Sequence, residues 1–365
     1  MFSKMRINRF FLIAVPGSFY RYSFTFGAMT LLSHGIRNLF NPLSGLFGTE
    51  FLKGVSGVEH IAPFYHAVSN TFIPHLNTLY QTRTEPQFKA DLEYLAKQFN
   101  FVDPVEFSAA IKNGNAKGMA LLSFDDGLVQ CFEIVRPILI KMGIPAVFFI
   151  NPNFIGGSRI FYRYKVGQIL YEISFANRSS LQNDISHILK TNGKFKKHLR
   201  HSLLALQWED EQLINECFSY LKLTNWEQHI YMDDIQLDKM LEQGFYFGGH
   251  GMDHRSLSHM NSEERVEDVK KSVAFCRENL KQKIQLFAFP FFDYNIPSQF
   301  IDYLHGEMAI DLSFGSSGMK IDKHKQNIQR LDMEINRSNT ENFIKSSLAL
   351  QGVRLFAGNS TLKRK

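Results

Sequence analysis

Cysteine is scarce: Cys131, Cys217 and Cys276 are the only three in 365 residues. Widely spaced, they offer no disulfide framework and no CxxC metal clip. They read as reduced thiols of the intracellular kind. Charge of one sign is also missing from the main body. The net charge is +6, and residues 1–53 hold +5 of it, from Lys4, Arg6, Arg9, Arg21, Arg37 and Lys53 against Glu50 alone. A nearly neutral remainder leaves a nucleic-acid partner unsupported. No apolar run reaches the roughly 20 residues of a spanning helix; residues 10–15 (FFLIAV) stop at Pro16, and Arg21 follows. Repeats and low-complexity tracts are absent too. What is present, 44% hydrophobic and 21% charged residues, is globular composition and excludes a disordered, collagenous or coiled-coil chain.

The basic residues ahead of FFLIAV imitate the start of a signal peptide, but no clear A-x-A cleavage site follows. Residues 1–55 therefore read as a basic, aromatic arm. It packs on the domain, or lies on a membrane surface through residues 1–40; a plain terminal extension is the simpler alternative. The expected compartment is the cytoplasm, with the arm touching the inner membrane and secretion as the competing outcome.

Beyond about residue 55 the pattern becomes strand–helix alternation. Ile61 to Tyr65 is a short apolar run ending at His66. Thr84 and Gln87 have capping-box spacing with Pro86 in the first turn, and Phe88, Leu92, Leu95 and Phe99 continue at helical period. Residues 118–124 form a continuous apolar run typical of a strand covered on both faces. A helix over roughly 129–142, closed by Gly143, leads to the run 145–150 (PAVFFI). Three more buried-type strands are expected at 245–249, 284–290 and 309–314. A helix capped near Asn261 or Ser262 lies before the second of these, with Val266, Val269, Val273, Cys276 and Leu280 on one face. Such alternation predicts a parallel sheet or barrel. Residues 151–237 break the rhythm and read as an inserted helical subdomain, which in barrels sits at the mouth. The organisation expected is an arm (1–55), a barrel (56–340, with 151–237 inserted) and a C-terminal tail (341–365).

Two segments carry chemistry. Ser123-Phe124-Asp125-Asp126-Gly127 ends an apolar strand, where open sheets and barrels place active sites. Neighbouring side chains diverge in a strand, but a turn at Gly127 lets both carboxylates reach one cavity. One carboxylate can then hold a metal while the other takes a proton; an ordinary Asp-Asp-Gly turn is the competing reading. His250-Gly251-Met252-Asp253-His254 follows another strand. Histidines at i and i+4 present two imidazoles to one metal if the segment is a helical turn; surface or packing histidines are the alternative. Imidazole plus carboxylate suits zinc or a neighbouring divalent ion.

These residues resemble a known family. Ser123 to Gly127 resembles the (T/S)-F-D-D-G motif of polysaccharide deacetylases with the NodB homology domain (carbohydrate esterase family 4). His250 to His254, within GFYFGGHGMDHRSLS, resembles that family's H-(S/T)-x-x-H motif. Phe287-Ala288-Phe289-Pro290-Phe291-Phe292 is similar to its third motif in the F-A-Y-P variant. Order and spacing agree over roughly 60–320. The helical insert, and Pro74-His75 before Leu79-Tyr80, resemble a bacterial envelope-polysaccharide branch.

The resemblance implies an α/β fold, a distorted (β/α) barrel of the NodB type with a helical insertion. It implies a divalent metal, Zn2+ by preference, held by Asp126, His250 and His254, with Asp125 as general base. The implied activity is hydrolysis of a non-peptide carbon–nitrogen bond, removing acetyl groups from an (amino)sugar of an envelope polysaccharide or its precursor. An acetylated glycan is thus the implied partner. A glycan-binding module on the same fold, or a hydrolase of another such bond, are the alternatives. Three positions depart from the family pattern. Gly251 replaces a Ser or Thr whose hydroxyl tightens the loop, which predicts a looser site. Ala288 replaces an Arg that orients the base, leaving Arg330 as a substitute or as a structural arginine. The late L-x-H that supplies a general acid has no match, since His305 and His324 lack its context. Further residues placed near the substrate are His66, Pro290, Phe291 and Asp293, two of them with a structural reading as well: a satisfied histidine for His66, a turn-forming residue for Asp293.

Overall fold

The computed structural model describes residues 47–157, 159–175, 180–223, 229–336 and 338–364. The proposed membrane-contacting segment 1–40 lies outside them. Among the described residues no helix is long and apolar enough to cross a membrane.

Eight parallel strands form the central sheet: β1 Pro63–Tyr65, β2 Leu122–Phe124, β3 Ala146–Ile150, β4 Tyr246–Gly249, β5 Leu286–Ala288, β6 Leu312–Gly315, β7 Asn327–Gln329 and β8 Leu331–Asp332. Their order is β8-β1-β2-β3-β4-β5-β6-β7. Residues 329 and 331 therefore lie at opposite edges of the sheet. The chain crosses between those edges at Arg330, whose N–H donates to the Gly315 carbonyl (3.1 Å) before Leu331 N–H donates to Ala62 (2.8 Å). That crossing nearly closes the sheet into a (β/α) barrel.

Local sequence accounts for most of these elements. β3 is buried along its whole length, as a strand covered on both faces must be. The helix Glu85–Gln98 starts at the Thr84–Gln87 capping box, and Ser262–Glu278 starts at an equivalent box between Asn261 and Glu264. Gly143 ends the helix before β3 in the left-handed region, φ 65°. The long run 118–124 splits into Met119–Ala120 and β2. β7 and β8 were not anticipated. They are three and two residues long and rich in polar side chains, so they carry no apolar run to read.

Two boundaries differ from the sequence reading. The 341–365 segment is not a tail: helix Thr340–Phe356 buries Phe343, Ile344, Leu348 and Leu350. Arg364 puts a fully buried guanidinium against Asp293 and Asp322. The limit near 55 falls inside helix Thr49–Ser56, which packs on that C-terminal helix. Between Pro152 and Tyr220 the chain runs through helices whose apolar cluster, including Phe154, Ile169, Leu203 and Ile214, also takes in Ala67, Leu76 and Leu128 from the barrel side.

Glycine is required where β4 meets helix Ser262–Glu278. A Cβ on Gly249 would stand 2.7 Å from Ser272 Oγ and 3.0 Å from the Ser272 carbonyl carbon. Gly249→Ala should destabilise the fold by about 1–3 kcal/mol, the usual result of overpacking; a denaturant midpoint measures it.

Candidate active site

β2 delivers the adjacent aspartates. Asp125 extends the strand, its N–H donating to Tyr65 O at 2.9 Å. Asp126 then adopts φ 71°, followed by Gly127 at 67°. The left-handed step at Asp126 itself, one residue earlier than expected, brings both carboxylates to one cavity. Aspartate tolerates that region better than most residues, yet it remains a strained conformation of the kind found at functional sites.

β4 delivers the histidines. Residues 250–254 are not a helical turn: Gly251 has φ 70° and His254 φ 53°. The segment folds back as a loop and sets the two imidazoles edge to face, centroids 4.7 Å apart. Hydrogen bonds hold the loop around the glycine at 251. Asn151 Nδ2 donates to the carbonyls of His250 and Gly251, and Met252 N–H donates to Asp268 Oδ1 at 3.1 Å. A Cβ at 251 would meet Asp268 Oδ2 at 2.8 Å. Asp253 points outward to Asn153 and Arg159.

One ligand atom from each of Asp126, His250 and His254 lies within 4.8 Å of the others, and all three residues are buried. Asp126 Oδ1 is 3.1 Å from His254 Nε2 and 3.5 Å from His250 Nε2. His250 Nδ1 is 2.8 Å from the Ala288 carbonyl. A carbonyl only accepts, so Nδ1 carries the proton and Nε2 turns a lone pair inward. Burial lowers the His254 pKa, against the pull of Asp126, and favours neutral imidazole. Buried Asp126 Oδ1 has no hydrogen bond of good geometry despite these short separations, which leaves the oxygen open to a cation. This donor set fits a divalent cation. Tyr164 donates to the other oxygen, Asp126 Oδ2, and the Phe161 and Phe291 rings pack against His254 at 4.3 and 4.8 Å.

Asp125 stands beside the triad, 3.8 Å from His250 Nε2. Arg330 holds it with both prongs, Nη1–Oδ1 2.6 Å and Nη2–Oδ2 2.7 Å. Burial alone would raise the Asp125 carboxyl; the Arg330 guanidinium overcomes this and holds it below the usual range. His66 lines the same cavity. Its Nδ1 is 2.6 Å from Glu334 Oε2, while Glu334 Oε1 accepts from the His66 and Ala67 N–H groups. Burial would lower the His66 pKa, but the Glu334 charge and hydrogen bond raise it to about 10.

The family model for polysaccharide deacetylases matches residues 112–302, just over half of the chain. The chain belongs to the polysaccharide deacetylase family. No curated protein matches it. Among solved structures it is similar to the Streptococcus pyogenes deacetylase PplD in complex with acetate: identity is 15% and TM-score 0.52, covering 80% of this chain and 98% of that one. It is also similar to IcaB from Ammonifex degensii, at 16% identity and TM-score 0.48, covering 80% and 98%.

Of the other residues expected near a deacetylase substrate, Phe291 lines the cavity. Pro290 is buried against the histidine loop, its Cγ 3.3 Å from where a Gly251 Cβ would stand. Asp293 does not face the cavity. It is buried with Arg364, Asn327 and Gln329, which donate to its Oδ2, so its charge is used in joining the C-terminus to the barrel. His305 binds Ile310 and Ser313, and His324 binds Ser298 and Asp302; neither lines the cavity. Sequence reasoning missed Glu334 and Tyr164, which lie outside every motif. A carboxylate two residues after the cavity strand β8 was the only local signal for Glu334.

Proposed function

We propose that the protein is a metal-dependent deacetylase, a hydrolase of a non-peptide carbon–nitrogen bond, acting on an acetylated amino sugar of a bacterial envelope polysaccharide or its precursor. The observation that carries this is the convergence of Asp126, His250 and His254 beside a carboxylate, Asp125, gripped by Arg330. Two imidazoles and one carboxylate are the donor set of a catalytic zinc ion with an open position. When bound, such an ion polarises the acetyl carbonyl and acidifies water.

The chain's own residues do the rest. Asp125, ionised at neutral pH, accepts the proton from the attacking water. Arg330 fixes its orientation in place of the arginine absent at Ala288. His66 is the proton donor that the unmatched late L-x-H would supply: held as imidazolium by Glu334, it gives its proton to the departing amine nitrogen as the C–N bond breaks. Phe161 and Phe291 shield the ligands from bulk water. The products are acetate and a free amino sugar.

The test is acetate release from acetylated envelope glycans, with metal content measured alongside. Chelation should abolish release and added zinc should restore it. Glycan and metal binding without any acetate release would replace this reading with a binding module. For location we propose the cytoplasm, with residues 1–40 against the inner membrane; recovery of an exported, processed form on fractionation would overturn that.

The proton donor has its own signature. His66 carries its proton up to a pKa raised to about 10, so the alkaline limb of kcat should follow its deprotonation. Glu334→Gln removes the raising charge and leaves burial, which lowers the pKa. The alkaline limb should then move down by roughly 3 pH units or more, toward or below the ordinary histidine value. An unmoved limb in the kcat–pH profile would exclude His66.

A further inference from the structure

The catalytic cavity, of about 800 Å³, extends from Asp125 and Asp126 to a second wall built by the C-terminal segments, where Lys320, Arg354 and Lys363 line it. Backbone pairing places them. Ile321 bridges Thr361 in parallel, with Ile321 N–H donating to Ser360 O at 3.0 Å and Leu362 N–H to Ile321 O at 2.8 Å. Arg354 joins through its carbonyl, which accepts from Asn359 N–H at 2.8 Å. The fold thus gathers three cations at one wall.

Among the described residues no carboxylate neutralises them. Among the described residues none of the three has an ion pair. The acids of the neighbouring loop, Asp293 and Asp322, are both taken by Arg364. Burial, and then the charges of Arg354 and Lys363, lower the Lys320 pKa; burial likewise lowers that of Arg354. Like charges brought together without a counter-ion destabilise a fold unless something else supplies the opposite charge. Among the described residues, Asp332 is the one carboxylate besides Asp125 and Asp126 that lines the cavity.

We infer that the acetylated saccharide entering this cavity carries a phosphate group, bound by Lys320, Arg354 and Lys363. One planar guanidinium and two ammonium groups suit the several acceptor oxygens of a phosphate. All three residues lie beyond 112–302, the span the family model matches, so the subsite belongs to this chain's own C-terminal wall. The inference rests on the deacetylase reading for its substrate, but the anion site has an independent readout.

That readout is calorimetric binding to the zinc-loaded full-length protein. The probes are N-acetylglucosamine, N-acetylglucosamine 1-phosphate and UDP-N-acetylglucosamine. The phosphorylated sugars should bind at least about tenfold more tightly, with the advantage shrinking as salt rises. The two phosphorylated probes separate a terminal phosphate from an esterified diphosphate. Lys320→Gln/Arg354→Gln should reduce the advantage to near unity, and Arg354→Lys, which keeps the charge, should retain part of it; an unchanged thermal melt certifies the fold. Equal binding of charged and neutral sugars overturns the inference. So does capture by phosphatidylglycerol vesicles with no preference between the sugars, which would assign the cluster to a membrane. A phosphate preference without any acetate release keeps the subsite while sinking the deacetylase reading.

Discussion

Asp125→Asn should lower turnover by about 10²–10⁴-fold, the usual worth of a general base, with metal content unchanged. The amide matches the carboxylate in shape but cannot accept the proton of water. Asp125 is not one of the three converging donors, so the metal site has no reason to weaken. His254→Ala should behave in the opposite way, losing metal first and regaining part of its activity in excess metal. Single-turnover acetate release, with metal analysis of each purified variant, separates the two. Near-normal turnover in Asp125→Asn on a true substrate would remove Asp125 from the mechanism.

Arg330→Leu should be the most destabilising single change near the site, by about 3–5 kcal/mol, because it strands a buried carboxylate without its partner. Arg330 is 1% exposed and Asp125 3%, so water cannot compensate. The guanidinium also donates to Ser123 Oγ at 3.2 Å and lies over the Phe64 ring at 4.4 Å. Adding Asp125→Asn to Arg330→Leu should recover part of the loss, since no charge is then left unpaired; denaturant midpoints of the four proteins give the coupling directly. The pH dependence has a defined sign. Asp125 has a folded-state pKa below its ordinary value. Its contribution is therefore present above the ordinary carboxylate range and lost as pH falls through the lower folded value. Wild type and Arg330→Leu should converge in stability only in that acid window.

The convergence of Asp126, His250 and His254 was legible because each motif is local. Asp125 and Asp126 end one apolar strand and His250 follows another, and strand ends in a parallel barrel meet on one face. The local conformations that make the motifs work were not legible. Asp126 and His254 both take positive φ, which the sequence does not signal at non-glycine residues. The histidine spacing suited a helical turn, whereas Gly251 allows a loop that Asn151 and Asp268 hold.

The sequence by itself determined the elements whose information is short-range. The capping boxes at Thr84 and Asn261, the apolar strand β3, the left-handed stop at Gly143 and the order of the motifs all depend on residues a few positions apart. Only the tertiary structure decided the partners. Arg330 reaches Asp125 across 205 positions and Glu334 reaches His66 across 268, because β7 and β8 bring the chain's last strands to opposite edges of one sheet. Arg364 likewise becomes the counter-charge of Asp293 only when the C-terminal segment docks. No period or spacing encodes such pairs. They arise when closure of the barrel buries charges from distant segments together, and a buried charge is stable only where another meets it.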